Sequence, residues 1–388
     1  MDFTEPQEHS MIRSTARELT EEFDREFWRE KETEGEFAQD FWDELGDAGF
    51  HGLLVPAEYG GADMGLQEMA VAMEELNATG AGMAGTWYLV LTAGMAVVGI
   101  REHGTEEQKE TYLTDIAEGD RLFAIGITEP EAGTNTLNID TTATREGEEY
   151  RIDGQKAWIT FADEADEMVL VTRTTPKSEV DRPTQGLSLF VVDMDAPGIT
   201  VSPIPKHAMN YSNSCEVFFD DVPVPAENVL GEVDEGWWHL VDMLNPERIG
   251  FSAAATGIGR LAIDHAVQHA NDREVFGAPI GTHQAVSFPI TKAYARLETA
   301  SLMRQKAAWL FDRGEDCAFE TNLAKAESVE AGIRAVYHSM QAFGGWGYAR
   351  EYDVERWWRE VNLTRLAPVT QQMAYNHLAQ ELGFPKSY

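Results

Sequence analysis

The chain of 388 residues is poor in cysteine and in lysine. Its two cysteines, Cys215 and Cys317, lie far apart with no CxxC spacing. That excludes a disulfide framework and a cysteine-ligated zinc site, and it fits a reducing cytosol. Only nine residues are lysine, and lysine and arginine together number 30 against 67 acidic residues, a formal net charge of −37. The acidic residues are scattered ("TEEFDREFWREKETEGEF", "EHGTEEQKE", "FDRGEDCAFE"), so the charge belongs to the whole surface. Such a field repels nucleic acid and anionic membrane. At low salt it also opposes compaction, and salt screens that repulsion. The expected setting is the cytosol of a salt-accumulating, halophilic organism. The first residues, "MDFTEPQEHSMIRS", are acidic and lack an apolar core, so no signal peptide is expected.

One run lacks charge altogether: residues 76–100, "LNATGAGMAGTWYLVLTAGMAVVGI". It is long enough to span a bilayer. It is also rich in Gly and Thr and is flanked by acidic amphipathic stretches without a basic border. The pattern predicts a buried helix or helix pair in an all-α domain, and no membrane insertion.

The length suggests two or three domains, and 43% apolar residues supply ample core. Up to about residue 118 the texture is helical, with apolar residues three and four apart. Thr105 and Gln108 form a Thr-x-x-Gln box that opens helices. From 119 to 231 the chain breaks into short β-rich runs such as "RLFAIGIT", "KAWITF" and "GLSLFVVDM", and Asp153-Gly154 reads as a hairpin turn. From 232 to 388 helices return over 246–272, 284–312, 318–342 and 352–366, with a last one after Pro368. The expected fold is α+β multidomain: an N-terminal α-helical domain (1–118), a central antiparallel β domain (119–231) and a C-terminal four-helix bundle (232–388). There is no internal repeat.

Several motifs fail on inspection. Gly257 and Gly259 in "TGIGRLA" lack a third glycine and sit within a helix, so a dinucleotide fingerprint is excluded. His265 and His269 share a helical face, but no third ligand accompanies them, and a packing or surface role is expected. No Ser-His-Asp or Cys-His arrangement has local support, and no metal site is expected.

Other segments carry more. In "ITEPEAGTNT" (127–136) hydroxyls, amides and a permissive glycine suit a cradle for a flat, polar-edged ligand, and equally an ordinary strand-to-loop turn. In "KAWITFADEAD" Trp158 and Thr160 fall on one strand face with Ile159 on the other, which suits a stacked ring or a half-buried core tryptophan. "LNPERIG" (244–250) reads as a helix start: Asn245 the N-cap, Pro246 the first helical residue, and Glu247 in the first turn, where the helix dipole favours a carboxylate by about 0.3–1 kcal/mol.

Five stretches in this order and separation resemble the FAD-dependent acyl-CoA dehydrogenase family across essentially the whole chain: "ITEPEAGTNT", "KAWITFADEAD", "ERIGFSAAATGIGRLAIDHAVQHANDREVFG", "GTHQAV" and "QAFGGWGYAREYDVERWWRE". The resemblance implies that Ile127, Thr128, Gly133, Thr134, Trp158 and Thr160 hold the isoalloxazine of FAD. It implies that Arg273, Phe276, His283, Gln284, Gln341 and Gly345 approach the FAD diphosphate and adenosine across a subunit interface, with Thr370 and Gln372 as a further flavin-contacting pair. A homo-oligomer, dimer or tetramer, follows from that sharing. Thr134-Asn135 stands where the family usually has Ser-Asp, keeping the hydroxyl and losing a charge. Thr134 and Arg248 are the expected substrate contacts.

The family reaction is α,β-desaturation of an acyl-CoA thioester in fatty acid metabolism: a carboxylate takes the α proton and flavin N5 takes the β hydrogen as hydride. Electrons pass to an electron-transfer flavoprotein. Many members place the carboxylate nine residues after the arginine that matches Arg359; that position here is Pro368, which is no base and has no N–H to hold the thioester oxygen. A donor such as the Val369 N–H, or a ribityl hydroxyl of FAD, would have to replace that amide. A minority of members supply the base at the start of the bundle's first long helix, which matches Glu247. Glu247 is therefore the expected base, against a capping or ion-pair role with Arg248; Glu360 and Glu381 read as solvated helix faces. The alternatives on the same fold are a flavin monooxygenase, an enoyl-CoA reductase, or a non-catalytic flavoprotein scaffold.

Overall fold

The structure, a computed structural model, describes residues 4–385. Helices fill the chain to Glu118, strands run from Phe123 to Leu230, and helices resume at Gly236. By packing, the chain forms two units, each discontinuous in sequence. A helical unit gathers the residues up to Thr33, Gly65–Tyr88 and everything from Glu247, and a sheet unit gathers Glu34–Met64 and Leu89–Pro246.

In the helical unit, amphipathic spacing sets the buried faces. The Gln7–Glu22 helix buries Ile12, Ala16 and Leu19, three and four apart as a helix stripe requires. The helices Gly236–Asp272, Gln284–Asp312 and Ala318–Phe343 form the long bundle, followed by Val354–Leu363 and Gln371–Glu381. The expected 352–366 helix is thus shorter at both ends. Small residues let these helices meet closely: a Cβ at Gly332 would lie 2.3 Å from the Ala255 carbonyl oxygen. A buried polar knot also pins the unit. Glu74 accepts from Arg304 at 2.7 Å, Thr256 at 2.7 Å and Ser301 at 3.1 Å. Burial raises its carboxyl, but Arg304 and Arg260 overcome that and hold it at about 2.

The expected helix start at Asn245 is not there. The helix begins at Gly236 and runs to Asp272 with Pro246 inside it. Leu240 and Met243 are fully buried, and the apolar face they begin carries the helix through the proline. An interior proline removes one hydrogen bond and costs about 3 kcal/mol. Glu247 is accordingly about three turns into the helix, beyond the reach of the terminal dipole charge. The capping explanation of Glu247 falls.

The uncharged run resolves into two helices. Leu66–Leu76 ends before a kink at Gly80 and Gly82, whose φ values are 155° and 62°. Ala84–His103 follows, long and apolar enough to cross a membrane, yet 94% of its apolar window is buried inside the protein. The kink is closed by a carboxylate: the Met83 N–H donates to Glu360 Oε2 at 3.1 Å. Glu360 is 0% exposed and pairs with Arg356 at 3.0 Å, so the reading of it as a solvated face is corrected. Glu381 is exposed.

The sheet unit holds eight strands: β1 (Phe123–Gly126), β2 (Thr142–Glu146), β3 (Glu149–Thr160), β4 (Glu167–Arg173), β5 (Leu187–Asp193), β6 (Ile199–Pro203), β7 (Ser214–Pro225) and β8 (Val229–Leu230). Their order is β6-β7-β3-β2-β4-β5-β8, with β1 on β4. Pairings are antiparallel except that β1 and β2 run parallel to β4. Tyr150, Ile152, Leu170, Phe190, Val217 and Val222 share the core, at the alternate positions one sheet face presents. Asp153-Gly154 is no hairpin. Strand β3 passes straight through it, and the register against β7 shifts between Ile152 and Gly154. A Cβ at Gly154, where φ is 149°, would lie 2.7 Å from Thr141 Cα, so this glycine marks a bulge with a close backbone approach. The turn lies at Gly147-Glu148, between the paired Glu146 and Glu149.

Candidate active site

The sheet unit builds an exposed aromatic platform. After β1, the 127–129 segment is tied to β3 by a buried ion pair. Lys156 Nζ donates to Glu129 Oε1 at 2.8 Å and to the Ile127 carbonyl at 3.1 Å. Glu129 also accepts from the Asp140 and Thr141 amides at 2.7 and 2.9 Å. Burial lowers Lys156 to about 8, with Glu129 opposing; burial raises Glu129, but Lys156 outweighs it and the carboxyl stays below its usual value. Both are therefore charged at neutral pH. The Ala157 amide donates to the Thr128 carbonyl at 2.9 Å. Immediately after it the register slips between Lys156 and Ile159, and Trp158 adopts φ 63° with 58% exposure. A left-handed conformation is costly for a bulky residue and persists where its surroundings enforce it. Here it turns the indole outward, one residue after the Ala157 that meets Thr128, while Ile159 joins the core and Thr160 is half-buried. Gly133 and Thr134 are exposed, and a side chain at Gly133 would meet nothing. An outward indole flanked by hydroxyls, main-chain groups and open space fits a flat ring with hydrogen-bonding edges.

The helical unit holds the remaining expected cofactor residues. Arg273, Gly344, Gly345 and Trp346 line an open recess of about 600 Å³ together with His269 and Phe343. A cation beside side-chain-free backbone suits a phosphate group. Phe276 and Gly277, with φ 57° and 79°, form the two-residue turn of a small hairpin, and Phe276 is 96% exposed. His283, Gln284, Gln341 and Gln372 are exposed. Thr370 caps the last helix by accepting from the Met373 amide at 3.3 Å.

Glu247 sits in a different environment. Protein atoms crowd it, yet part of its surface is accessible. Its carboxylate accepts no hydrogen bond from a described residue. Burial pushes its carboxyl up to about 7, against the attraction of Arg248 and Lys325. Burial likewise pulls Lys325 down to about 8, with Glu247 opposing, and lowers Arg248. Lys325 is 0% exposed, and its Nζ donates to the Val369 carbonyl at 2.5 Å. The turn that carries Pro368 is closed by the Gln371 amide on the Arg365 carbonyl at 3.1 Å. Gln371 Nε2 reaches the Ala326 carbonyl at 3.2 Å. The Pro368 turn and Glu247 thus share one neighbour, Lys325. Sequence reasoning missed it, because a lysine in an alanine-rich helix gives no local sign of burial.

Other candidates have ordinary roles. His265 Nδ1 lies 2.9 Å from the Leu261 carbonyl, and His269 stacks on Phe343 at 4.2 Å. Arg359 pairs with Glu32 at 2.6 Å and Glu355 at 2.8 Å. Burial, with Asp163, pushes the Cys215 thiol up to about 12, which makes it a poor nucleophile.

Comparison with known proteins agrees with this architecture. Family models described as the N-terminal, middle and C-terminal domains of acyl-CoA dehydrogenase match residues 6–120, 124–222 and 234–383. The chain is 38% identical to acyl-CoA dehydrogenase fadE12 of Mycobacterium bovis, over 100% of this chain and 99% of that one. It is 32% identical to the caffeyl-CoA reductase-Etf complex subunit CarC of Acetobacterium woodii, over 95% and 96%. The solved structure of butyryl-CoA dehydrogenase from Megasphaera elsdenii superposes with a TM-score of 0.93 at 30% identity, covering 98% of this chain and all of that one. The chain belongs to the acyl-CoA dehydrogenase family of oxidoreductases.

Proposed function

We propose that the protein is a FAD-dependent acyl-CoA dehydrogenase that desaturates the Cα–Cβ bond of an acyl-CoA thioester, with Glu247 as the base. The observation that carries this reading is the state of Glu247: crowded by protein, partly accessible and bound by no hydrogen bond from a described residue, with burial pushing its carboxyl up to about 7. A general base works best when its pKa lies near the working pH. Glu247 takes the α proton, and Arg248 and Lys325 favour its ionised form against the cost of burial. FAD, when bound, supplies the acceptor for the β hydrogen. Ile127, Thr128, Gly133, Thr134, Trp158 and Thr160 hold its ring. Arg273, Phe276, His283, Gln284, Gln341 and Gly345 serve its diphosphate and adenosine across a subunit interface, with Thr370 and Gln372 completing the set. The 96% exposure of Phe276 and 83% exposure of Tyr348 support that interface, and with it a dimer or tetramer. Pro368 removes the amide that holds the thioester oxygen in other members. The Val369 N–H donates to no described residue, and it takes over that role. Thr134 and Arg248 are the substrate contacts.

The test is Glu247→Gln against a panel of acyl-CoA thioesters. Visible flavin absorbance is expected to stay and turnover to fall by about 10²–10⁴-fold; near-normal turnover refutes the assignment. A second reading reverses the direction, since one relative is the caffeyl-CoA reductase-Etf complex subunit CarC and a carboxyl pushed up to about 7 both gives and takes a proton at neutral pH. Anaerobic bleaching of the flavin by acyl-CoA supports desaturation. Reoxidation of the reduced protein by enoyl-CoA, without bleaching by acyl-CoA, supports reduction. In either direction an electron-transfer flavoprotein is the proposed electron partner, in a salt-rich cytosol.

A further inference from the structure

We propose that Lys325 is a positioning residue for Glu247: a buried cation strapped to the Val369 carbonyl, held off the carboxylate so that Glu247 stays ionised yet basic. The inference rests on the reading of Glu247 as the base. Among the described residues of a lysine-poor chain two lysines are fully buried, Lys156 and Lys325. Lys156 has a carboxylate at 2.8 Å. Lys325 has none within 4 Å among the described residues; its Nζ is bound to a neutral main-chain oxygen, although Glu247 feels its charge.

The separation matters. A contact ion pair lowers a carboxyl by one to three pH units, well below the usual carboxylate range, where it is a poor proton acceptor at neutral pH. A buried carboxyl with no cation nearby goes the other way and stays protonated. A cation at longer range gives the intermediate state, because its field in the interior is weakly screened. The charged groups facing Glu247 are Arg248, on its own helix, and Lys325, on the Ala318–Phe343 helix. Lys325 in turn faces Glu247, Arg248 and Arg365, and Arg248 also faces Cys317. The strap to Val369 fixes where the charge sits, and it ties the Ala318–Phe343 helix to the turn carrying Pro368.

Three variants separate charge from strap. Lys325→Gln keeps an N–H donor and removes the charge; Lys325→Arg keeps the charge; Lys325→Met removes both. Retained flavin absorbance shows that each is folded. The direct readout is the infrared band of the Glu247 carboxylic acid, isolated by difference against Glu247→Gln and titrated with pH. The second readout is the pH profile of kcat/KM. Lys325→Gln and Lys325→Met are expected to move both the titration and the acid limb upward by about one pH unit or more. Activity would then fall about fivefold at pH 7 and recover near pH 9. Lys325→Arg is expected to stay near wild type. A rate lowered equally at every pH, with the Glu247 titration unmoved, overturns the proposal and leaves Lys325 a structural strap. So does an upward shift of about one pH unit or more in Lys325→Arg, which keeps the charge, an outcome available even if the Gln and Met variants do not fold. An inactive Glu247→Gln with unmoved Lys325 profiles defeats this inference alone; an active Glu247→Gln defeats the base reading itself.

Discussion

Replacing Glu247 by Gln should make the protein more stable at neutral pH, not less. The carboxyl ordinarily titrates at 4.5 and is pushed by burial up to about 7 in the fold. Between those values the folded state binds more protons than the unfolded state, so stability falls as pH rises through the window. The cost is nearly absent below pH 4.5 and complete above pH 7. A displacement from 4.5 to about 7, at 1.36 kcal/mol per pH unit, corresponds to about 3 kcal/mol. Gln resembles the neutral acid in shape and escapes that cost. Unfolding of the two proteins in molar KCl should differ by about 1 kcal/mol at pH 5.5 and about 3 kcal/mol at pH 7.5, with no further growth above that. The assay is the midpoint of denaturant or thermal unfolding at several pH values, holding flavin saturation fixed. A helix-capping carboxylate would behave oppositely, the Gln variant losing about 0.3–1 kcal/mol. Refutation is therefore plain: Gln less stable at pH 7.5, or a difference that does not change with pH.

Two further outcomes follow from the surface and from the platform. Thermal unfolding in 0.1 M and in molar KCl should show a higher midpoint at high salt, because the Debye length falls from about 10 Å to about 3 Å and screens the net −37 charge; equal midpoints contradict the salt-adapted reading. Lys156→Met leaves Glu129 buried without its cation, a change of about 3–5 kcal/mol, and should lower both the unfolding midpoint and the flavin absorbance per protein. The double variant with Glu129→Gln should recover part of the stability, and no recovery would show that the pair is not the reason.

The order of helices, strands and helices was legible because burial imprints a period on the sequence, 3.6 in one case and 2 in the other. The Thr105–Gln108 box was legible too, since it is closed by its own atoms: Gln108 N donates to Thr105 Oγ1 at 3.2 Å and Thr105 N to Gln108 Oε1 at 3.0 Å. What was not legible is set by distant contacts. Asp153-Gly154 carries the same letters as a hairpin, but the Thr141 backbone pressed against Gly154 makes it a bulge. Glu360 has an arginine four residues back, as a solvated face would, and the Met83 amide at the kink before the Ala84 helix makes it a buried anchor. Asn245-Pro246 carries the letters of a helix start, but buried Leu240 and Met243 extend the helix backward through them.

The two prolines of the proposed site are best understood together. At 368 the turn closes through the Gln371 amide on Arg365 and the Ala367 amide on Leu363. A residue without an N–H is therefore no loss to its structure, and the carbonyl one residue on is held by Lys325 from a neighbouring helix. At 246 the missing N–H falls inside a helix, where it does cost stability. The next residue is Glu247, in a segment fixed on both sides by helical backbone. A base on a continuous helix is located more tightly than one on a turn. Burial pushes its carboxyl up to about 7, and Arg248 and Lys325 limit that rise. If Glu247 is the base, as proposed, Lys325 is bound to the turn at the one position while its charge acts on the helix at the other.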